Sequence, residues 1–239
     1  MKAMIMAAGK GTRLGKITES IPKVLVDIHG KSLLQMAVET CTRYGFDDII
    51  VNVHYMADMV EEEIKRLNKS GFRITVSDER DQLLENGGGL FKARDFFDKN
   101  PFLLYNADIV SDLNLSTFYK YHNKNNGLAT LAVRNREGNR FLLVNSEGVL
   151  RGWCNIATGE KIITGYGSEK LSEIAFSSMQ IIDPEIFDYM KDGIYTIVSL
   201  YLQLASSHKI VTYRFDDGYW FNVGTPENLE DVRAFFGGI

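Results

Sequence analysis

Lys2-Ala3-Met4-Ile5-Met6-Ala7-Ala8-Gly9-Lys10-Gly11-Thr12-Arg13, followed shortly by Ile21-Pro22-Lys23, decides how the rest of this chain is read. An apolar run of strand length stops at a glycine-rich turn that ends in a cation. A second cation, Lys23, follows a proline that stiffens the chain before it. Ala7, Ala8, Gly9 and Gly11 are small enough for backbone N–H groups to approach an anion closely. Arg13 offers a planar fork to phosphate oxygens, and Lys23 a compact point charge. The stretch therefore reads as a strand opening into a phosphate cradle. It is not a P-loop, because Gly15-Lys16 is followed by Ile17 and Lys10 stands where the first glycine is required. A dinucleotide fingerprint fails as well, since Leu14 occupies the third glycine position. The plain alternative is a flexible surface turn after a buried strand.

Working outward, strand and helix patterns alternate through the first half. Leu33, Leu34, Ala37, Val38, Cys41 and Tyr44 recur at helical spacing after the cap Ser32, and Gly45 closes that helix. Asp48 to Val53 reads as a buried strand. Val60, Ile64 and Leu67 mark a helix ending at Gly71, and Ile74 to Val76 a short strand. A helix is expected over Leu90 to Phe97, then a strand over Phe102 to Tyr105. Such βα units predict an α/β fold with a doubly wound, mostly parallel (mixed) sheet. The second half is richer in strands: Ala129 to Val133, Phe141 to Val144, Val149 to Trp153 and Ala175 to Ile182. Asn145-Ser146-Glu147-Gly148 and Asp216-Asp217-Gly218 read as hairpin turns. Asp183-Pro184 and Thr225-Pro226 start helices, and Tyr195 to Ser206 reads as a buried one. The expected organisation is one domain over 1–239, with one half running to about 110 and the other from about 111.

The bulk numbers narrow the classes. The 239 residues carry a net charge of −4, which leaves no electrostatic footprint for a nucleic acid. An anionic substrate must be met by local cations, which the opening stretch supplies. Cys41 and Cys154 lie too far apart in sequence for a metal or redox spacing, and read as core fillers in a reducing compartment. The four histidines show no metal spacing. The apolar run after Lys2 is too short for a secretion signal, and no stretch approaches a membrane span. A cytoplasmic protein with no membrane or nucleic-acid partner is expected, and no oligomeric state is assigned.

Three further places carry chemistry. Gly87-Gly88-Gly89 after Glu85-Asn86 reads either as a mobile loop or as backbone packed against a flat base. Asp108 follows the strand that ends at Tyr105. Carboxyl ends of parallel strands are where open α/β sheets bind ligands, though a lone Asp there also forms turns. Asn155 and Glu160 offer donors and acceptors that could meet a polar ligand, as could the residues of any polar loop.

Taken together, these motifs resemble the sugar-phosphate nucleotidylyltransferases. Ala7 to Arg13 with Pro22-Lys23 is similar to that family's N-terminal signature. Glu85 to Ala93 is similar to its second motif, with Asn86 where Thr is common. Asn106-Ala107-Asp108 matches its small-residue-Asp motif. Trp220-Phe221-Asn222-Val223-Gly224-Thr225-Pro226 matches its C-terminal motif, with Asn222 in place of the usual Asp. Ser177-Ser178 lies in a segment like its Phe-Ser-Gly stretch, Ser178 replacing the glycine. The likeness runs from Lys2 to about Leu229.

The resemblance implies a Rossmann-like, glycosyltransferase-A-type three-layer sandwich. It implies transfer of a nucleoside monophosphate from an NTP, UTP or GTP, to a sugar 1-phosphate, with pyrophosphate released. Ala7, Ala8, Gly9, Gly11, Thr12, Arg13, Lys23, Glu85, Asn86, Gly87, Gly88 and Asn106 would bind nucleotide. Arg13, Lys23 and Asp108 would be catalytic. Asp108 and Asn222 would hold Mg²⁺, and Asn155, Glu160 and Ser177 would meet the sugar phosphate. No general base is needed, because a phosphate oxygen with a second pKa of about 6 is already largely ionised at neutral pH. The compact length and the Glu-x-Gly-Gly-Gly segment look most like N-acetylmuramate 1-phosphate uridylyltransferases. Guanylyltransferases for mannose or heptose 1-phosphate come next, then a choline-phosphate cytidylyltransferase. A nucleotide-binding sensor or scaffold is the reading from another class, and Asn222 is its best support.

Overall fold

Continuous apolar runs make buried parallel strands, and periodic ones make the helices that cover them. The computed structural model describes residues 1–164 and 169–238. Its strands are β1 (Lys2–Met6), β2 (Asp27–Ile28), β3 (Lys31–Ser32), β4 (Asp48–Val53), β5 (Ile74–Asp78), β6 (Phe102–Asn106), β7 (Ile109–Ser111), β8 (Ala129–Arg134), β9 (Arg140–Val144), β10 (Leu150–Asn155), β11 (Glu160–Ile163), β12 (Ser172–Ile182), β13 (Ile210–Arg214) and β14 (Trp220–Asn222). Its helices are α1 (Ile17–Ser20), α2 (Leu33–Arg43), α3 (Ala57–Lys69), α4 (Glu85–Lys92), α5 (Leu115–Asn125), α6 (Ile197–Leu204) and α7 (Pro226–Gly237). The chain forms two compact units. One comprises Met1–Leu84, Leu103–Leu113 and the segment from Gly218 onward; the other comprises Glu85–Phe102 and Asn114–Asp217. These units interleave along the chain.

In the first unit the strands run β5-β4-β1-β6, all parallel. From β1 the chain steps outward to β4 and β5, then returns to the other side of β1 as β6. The order reverses at β1, and a crevice at the carboxyl end of such a switch point is where open α/β sheets take ligands. Helix α2 packs on β1, and α3 on β4 and β5. Helix α2 starts where Ser32 Oγ accepts from the Gln35 N–H at 3.0 Å, and it buries Leu33, Leu34, Ala37, Val38 and Cys41. Val60, Ile64 and Leu67 do the same for α3. The expected α/β class and mixed sheet hold, with the parallel pairings concentrated here.

The second unit is mainly antiparallel, in the order β11-β10-β9-β12-β8-β13, with β13 and β8 parallel. The expected Asn145–Gly148 turn joins β9 to β10. There the Asn145 side chain accepts from the N–H groups of Glu147 and Val149, and the Gly148 N–H donates to the Asn145 carbonyl. Two expectations are corrected. Asp216-Asp217-Gly218 does not close a hairpin: β13 pairs with β8, and β14 pairs with β7. Asp216 instead faces back to accept from the Asn135 N–H at 2.7 Å and pairs with Arg214. The helix expected from Leu90 to Phe97 begins earlier, as α4 at Glu85, and a 3-10 turn follows over Arg94–Phe96. Packing overrides the low helix propensity of Gly87-Gly88-Gly89, all three of which are buried.

Strand β12 carries an irregularity between Phe176 and Gln180 where its register to β8 shifts. Ser178 sits in it at φ 59, a left-handed conformation that costs an ordinary residue about 1 kcal/mol or more. Ser178→Gly is expected to raise unfolding stability by about 1 kcal/mol. A chemical denaturation midpoint unchanged or lowered in that variant would contradict this account of the bulge.

Cys41 and Cys154 are free and buried, and burial pushes the Cys41 thiol up to about 12. His122 is buried against the Thr130 hydroxyl at 2.9 Å, and desolvation pushes it down to about 4, so the ring is neutral near pH 7. Among the described residues no group of three or more His, Cys, Asp or Glu could hold a metal, and no helix is long and apolar enough to cross a membrane.

Candidate active site

The loop after β1 is built from beneath. Met6 lies between Asn52 of β4 and Asn106 of β6 in the sheet. Leu14 is buried in a cluster with Val26, Ile28, Leu33, Val110, Val223, Leu229 and Val232, which anchors the chain just past Arg13. The buried Thr18 hydroxyl lies 3.1 Å from the Gly11 carbonyl and 3.2 Å from the Gly15 carbonyl. The Tyr55 phenol donates to the Thr18 carbonyl at 2.8 Å. Gly11 has φ 66, and a Cβ there would lie 2.7 Å from Lys23 Cβ. The loop therefore rests directly on Lys23, and only glycine permits that approach. Above this base Gly9, Lys10, Thr12 and Arg13 are exposed.

Lys23 is itself buried, 7% exposed, and its ammonium donates to Asp108 Oδ2. Tyr105, wholly buried, donates its phenol to the Ile109 carbonyl at 2.8 Å and so pins the turn that carries Asp108. Strand β7 begins one residue later and pairs with β14, with Ile109 opposite Asn222, and the Val223 N–H donates to the Asp108 carbonyl at 2.9 Å. A Cβ on Gly224 would lie 2.8 Å from Asn222 Oδ1 and 3.0 Å from Arg13 Nη2. Glycine at 224 thus lets the guanidinium and the amide oxygen converge. Lys23, Asp108, Asn222 and Arg13 form one continuous group around the loop, at the carboxyl end of β1 and β6. The apolar cluster holds all three segments that carry it, through Leu14, Val110 and Val223.

The donor set suits a hard cation. Asp108 Oδ1 is buried with no hydrogen-bond partner among the described residues, and Asn222 adds a second oxygen on the neighbouring strand. Two protein oxygens are the usual contribution to Mg²⁺ when nucleotide phosphates supply the rest.

Within the loop, Ala7 differs from the expectation. Its N–H donates to Asn52 Oδ1 at 2.7 Å, so it is not offered to a ligand. Ala8 is buried, and Asn106 is half-buried at the end of β6.

The other expected residues lie in the second unit. Glu85 is exposed at φ 59. Asn86 Oδ1 accepts from the Ile197 N–H at 2.8 Å, at the start of α6. The N–H groups of Gly87 and Gly88 point at the Tyr195 carbonyl, at 2.9 and 3.4 Å. A Cβ on Gly87 would strike the Tyr195 ring at 2.6 Å. The close approach expected of this glycine is made to the protein's own tyrosine. Asn155 Oδ1 accepts from the Ala157 N–H, Glu160 is exposed opposite it on β11, and Ser177 is wholly buried in β12.

Asn52, Glu79, Thr18, Tyr55 and Tyr105 were not singled out from the sequence. Asn52 did leave a signal, as a polar residue inside an apolar strand. Tyr55 and Glu79 act through partners distant in sequence, whereas Thr18 and Tyr105 bond backbone carbonyls near them in the chain.

The model of the nucleotidyl transferase family matches residues 2–153. The chain belongs to this family. It is 37% identical over 236 residues to the mannose-1-phosphate guanyltransferase beta-A of Xenopus laevis, covering 96% of this chain and 62% of that one. It is 27% identical to the N-acetylmuramate alpha-1-phosphate uridylyltransferase of Neisseria meningitidis, with 99% of each covered. The chain spans from 52% to 62% of the length of several longer curated relatives it matches. The crystal structure of HddC from Yersinia pseudotuberculosis has the same fold, with a TM-score of 0.79 at 19% identity over 98% of this chain and 99% of that one. The family expected from the motifs is borne out.

Proposed function

We propose that this chain is a sugar-1-phosphate nucleotidylyltransferase. A phosphate oxygen of the sugar 1-phosphate attacks the α-phosphorus of an NTP; the new P–O bond makes the NDP-sugar, and the bond to pyrophosphate breaks. One observation carries this reading: two cations, a carboxylate with an unpartnered oxygen and an amide oxygen converge on a glycine loop at the switch point of a parallel sheet. The attacking oxygen is already ionised, so the protein's task is positioning and charge neutralisation in an in-line displacement.

In this reading Gly9, Gly11 and Thr12 present the loop backbone to the phosphates. Arg13 meets charge building on the leaving pyrophosphate, and Lys23, oriented by Asp108, steadies the phosphates beside it. Asp108 and Asn222 would hold Mg²⁺, which neutralises phosphate charge when bound. Uridylyl transfer to an N-acetylmuramate 1-phosphate-like sugar is favoured, because the relative of that name matches this chain from end to end. Guanylyl transfer to mannose or heptose 1-phosphate is the second reading, favoured by the higher identity to the Xenopus relative.

The deciding experiment pairs each of the four NTPs with several sugar 1-phosphates and follows pyrophosphate release. Turnover with one pair fixes the substrates. Nucleotide binding without release in any pair would leave the sensor reading in its place. Asn222→Asp restores a charged ligand, and the Mg²⁺ concentration for half-maximal rate is expected to fall. An unchanged Mg²⁺ dependence would remove position 222 from the metal site.

A further inference from the structure

A fully buried polar chain runs beneath the loop and is used by none of the steps above. Glu79, 0% exposed, follows β5, and Asn52, 1% exposed, lies on β4 beside β1. Glu79 is fixed by its own backbone: its N–H donates to the Val53 carbonyl at 2.8 Å, and its carbonyl meets His54 Nδ1 at 2.7 Å. Its Oε1 accepts from Asn52 Nδ2 at 2.8 Å, and its Oε2 lies 3.4 Å from the Leu84 N–H. Asn52 Oδ1 in turn accepts from the Ala7 N–H at 2.7 Å.

An amide side chain can turn either its oxygen or its NH₂ toward a neighbour. Only the first suits Ala7, whose N–H is a donor. Glu79 decides the matter, because a carboxylate can only accept and so draws the NH₂ to itself. The carboxylate thereby sets the direction in which the chain leaves β1, two residues before Gly9, the first loop residue assigned to the phosphates. Its other oxygen faces Leu84, next to the Glu85-Asn86-Gly87 segment.

We infer that Glu79 and Asn52 are positioning residues for the nucleotide, a hydrogen-bond clamp whose polarity holds the phosphate loop in register. This rests on the nucleotidyl-transfer reading. A buried donor left facing a donor, or an acceptor facing an acceptor, loses its bond and keeps its desolvation cost.

The test exploits that polarity. Asn52→Asp keeps the acceptor for Ala7 but sets two carboxylates against each other. Combined with Glu79→Gln, it restores one donor and one acceptor with the direction reversed, the new amide at position 79 donating to the new carboxylate at position 52. Wild type is assayed first, with the NTP and sugar 1-phosphate it turns over fastest. A wild type that releases no pyrophosphate defeats the functional reading, and the clamp is then read from the shift in melting temperature that UTP and GTP produce in wild type and variants.

With an active wild type, Asn52→Asp is expected to raise the NTP KM about 10-fold or more, with the sugar-phosphate KM held within about 3-fold. The double variant is expected to recover most of the loss. A general structural defect would move both KM values and the melting temperature together, and would not be rescued by the swap. If Asn52→Asp yields no folded protein, Asn52→Ala serves in its place, with the same rise in NTP KM expected. An unchanged NTP KM in the folded single variants, or a double variant no better than Asn52→Asp, overturns the clamp.

Discussion

Arg13→Ala is expected to lower kcat for pyrophosphate release by about 10²–10³, the usual effect of deleting one preorganised electrostatic contact to a transition state. The guanidinium is exposed and takes no part in the apolar cluster, so the variant should fold as wild type does. Its position beside Gly224 and Asn222 puts the charge at the loop rather than in bulk solvent. Arg13→Lys should recover only part of the rate, since an ammonium cannot fork to two phosphate oxygens. Far-ultraviolet circular dichroism and a stopped pyrophosphate assay, run on the same preparations, check both halves. Near-normal turnover in the alanine variant would remove Arg13 from the chemistry.

Asp108→Asn is expected to cost a similar factor, about 10²–10³ in kcat, by a different route. Asparagine still offers an oxygen to the Lys23 ammonium, so the contact between that ammonium and the turn after β6 survives. What disappears is the buried Oδ1 itself, the oxygen with no partner among the described residues, because the amide NH₂ takes its place. The loss should therefore be accompanied by a higher Mg²⁺ requirement, which Arg13→Ala should not show. Measuring rate against Mg²⁺ in the two variants separates the roles. If Asp108→Asn keeps the wild-type Mg²⁺ dependence, the carboxylate orients Lys23 and does no more.

Local and periodic features were legible in the sequence. The strand over Asp48–Val53 and the helix capped by Ser32 follow from runs of apolar residues and a single side-chain bond. The switch-point loop was legible because its small residues and its cations stand close together in one stretch of sequence. Non-local pairing was hidden: Asp216-Asp217-Gly218 has a hairpin's composition, but the partners of its flanking strands are β8 and β7, far away in the chain. The glycines at 87–89 suggested open backbone, and the side chain that fills the space at Gly87, Tyr195, is over a hundred positions later. The Ala7 N–H looked available because its acceptor, Asn52, lies on the next strand. Composition tells which groups can bind an anion, whereas tertiary contacts decide which remain free to do so.

The first unit is gathered from three separate passes of the chain, the last beginning at Gly218. During synthesis, at about 5–20 residues per second, the loop, Lys23 and Asp108 all leave the ribosome well before Asn222 and Val223. Strand β7 has no β14 beside it until then, and the apolar cluster lacks Val223, Leu229 and Val232. A nascent chain therefore carries its paired charges before β14 and the rest of the apolar cluster exist to hold them, so a chain cut short of Gly218 keeps the loop but lacks the strand that brings Asn222 to it.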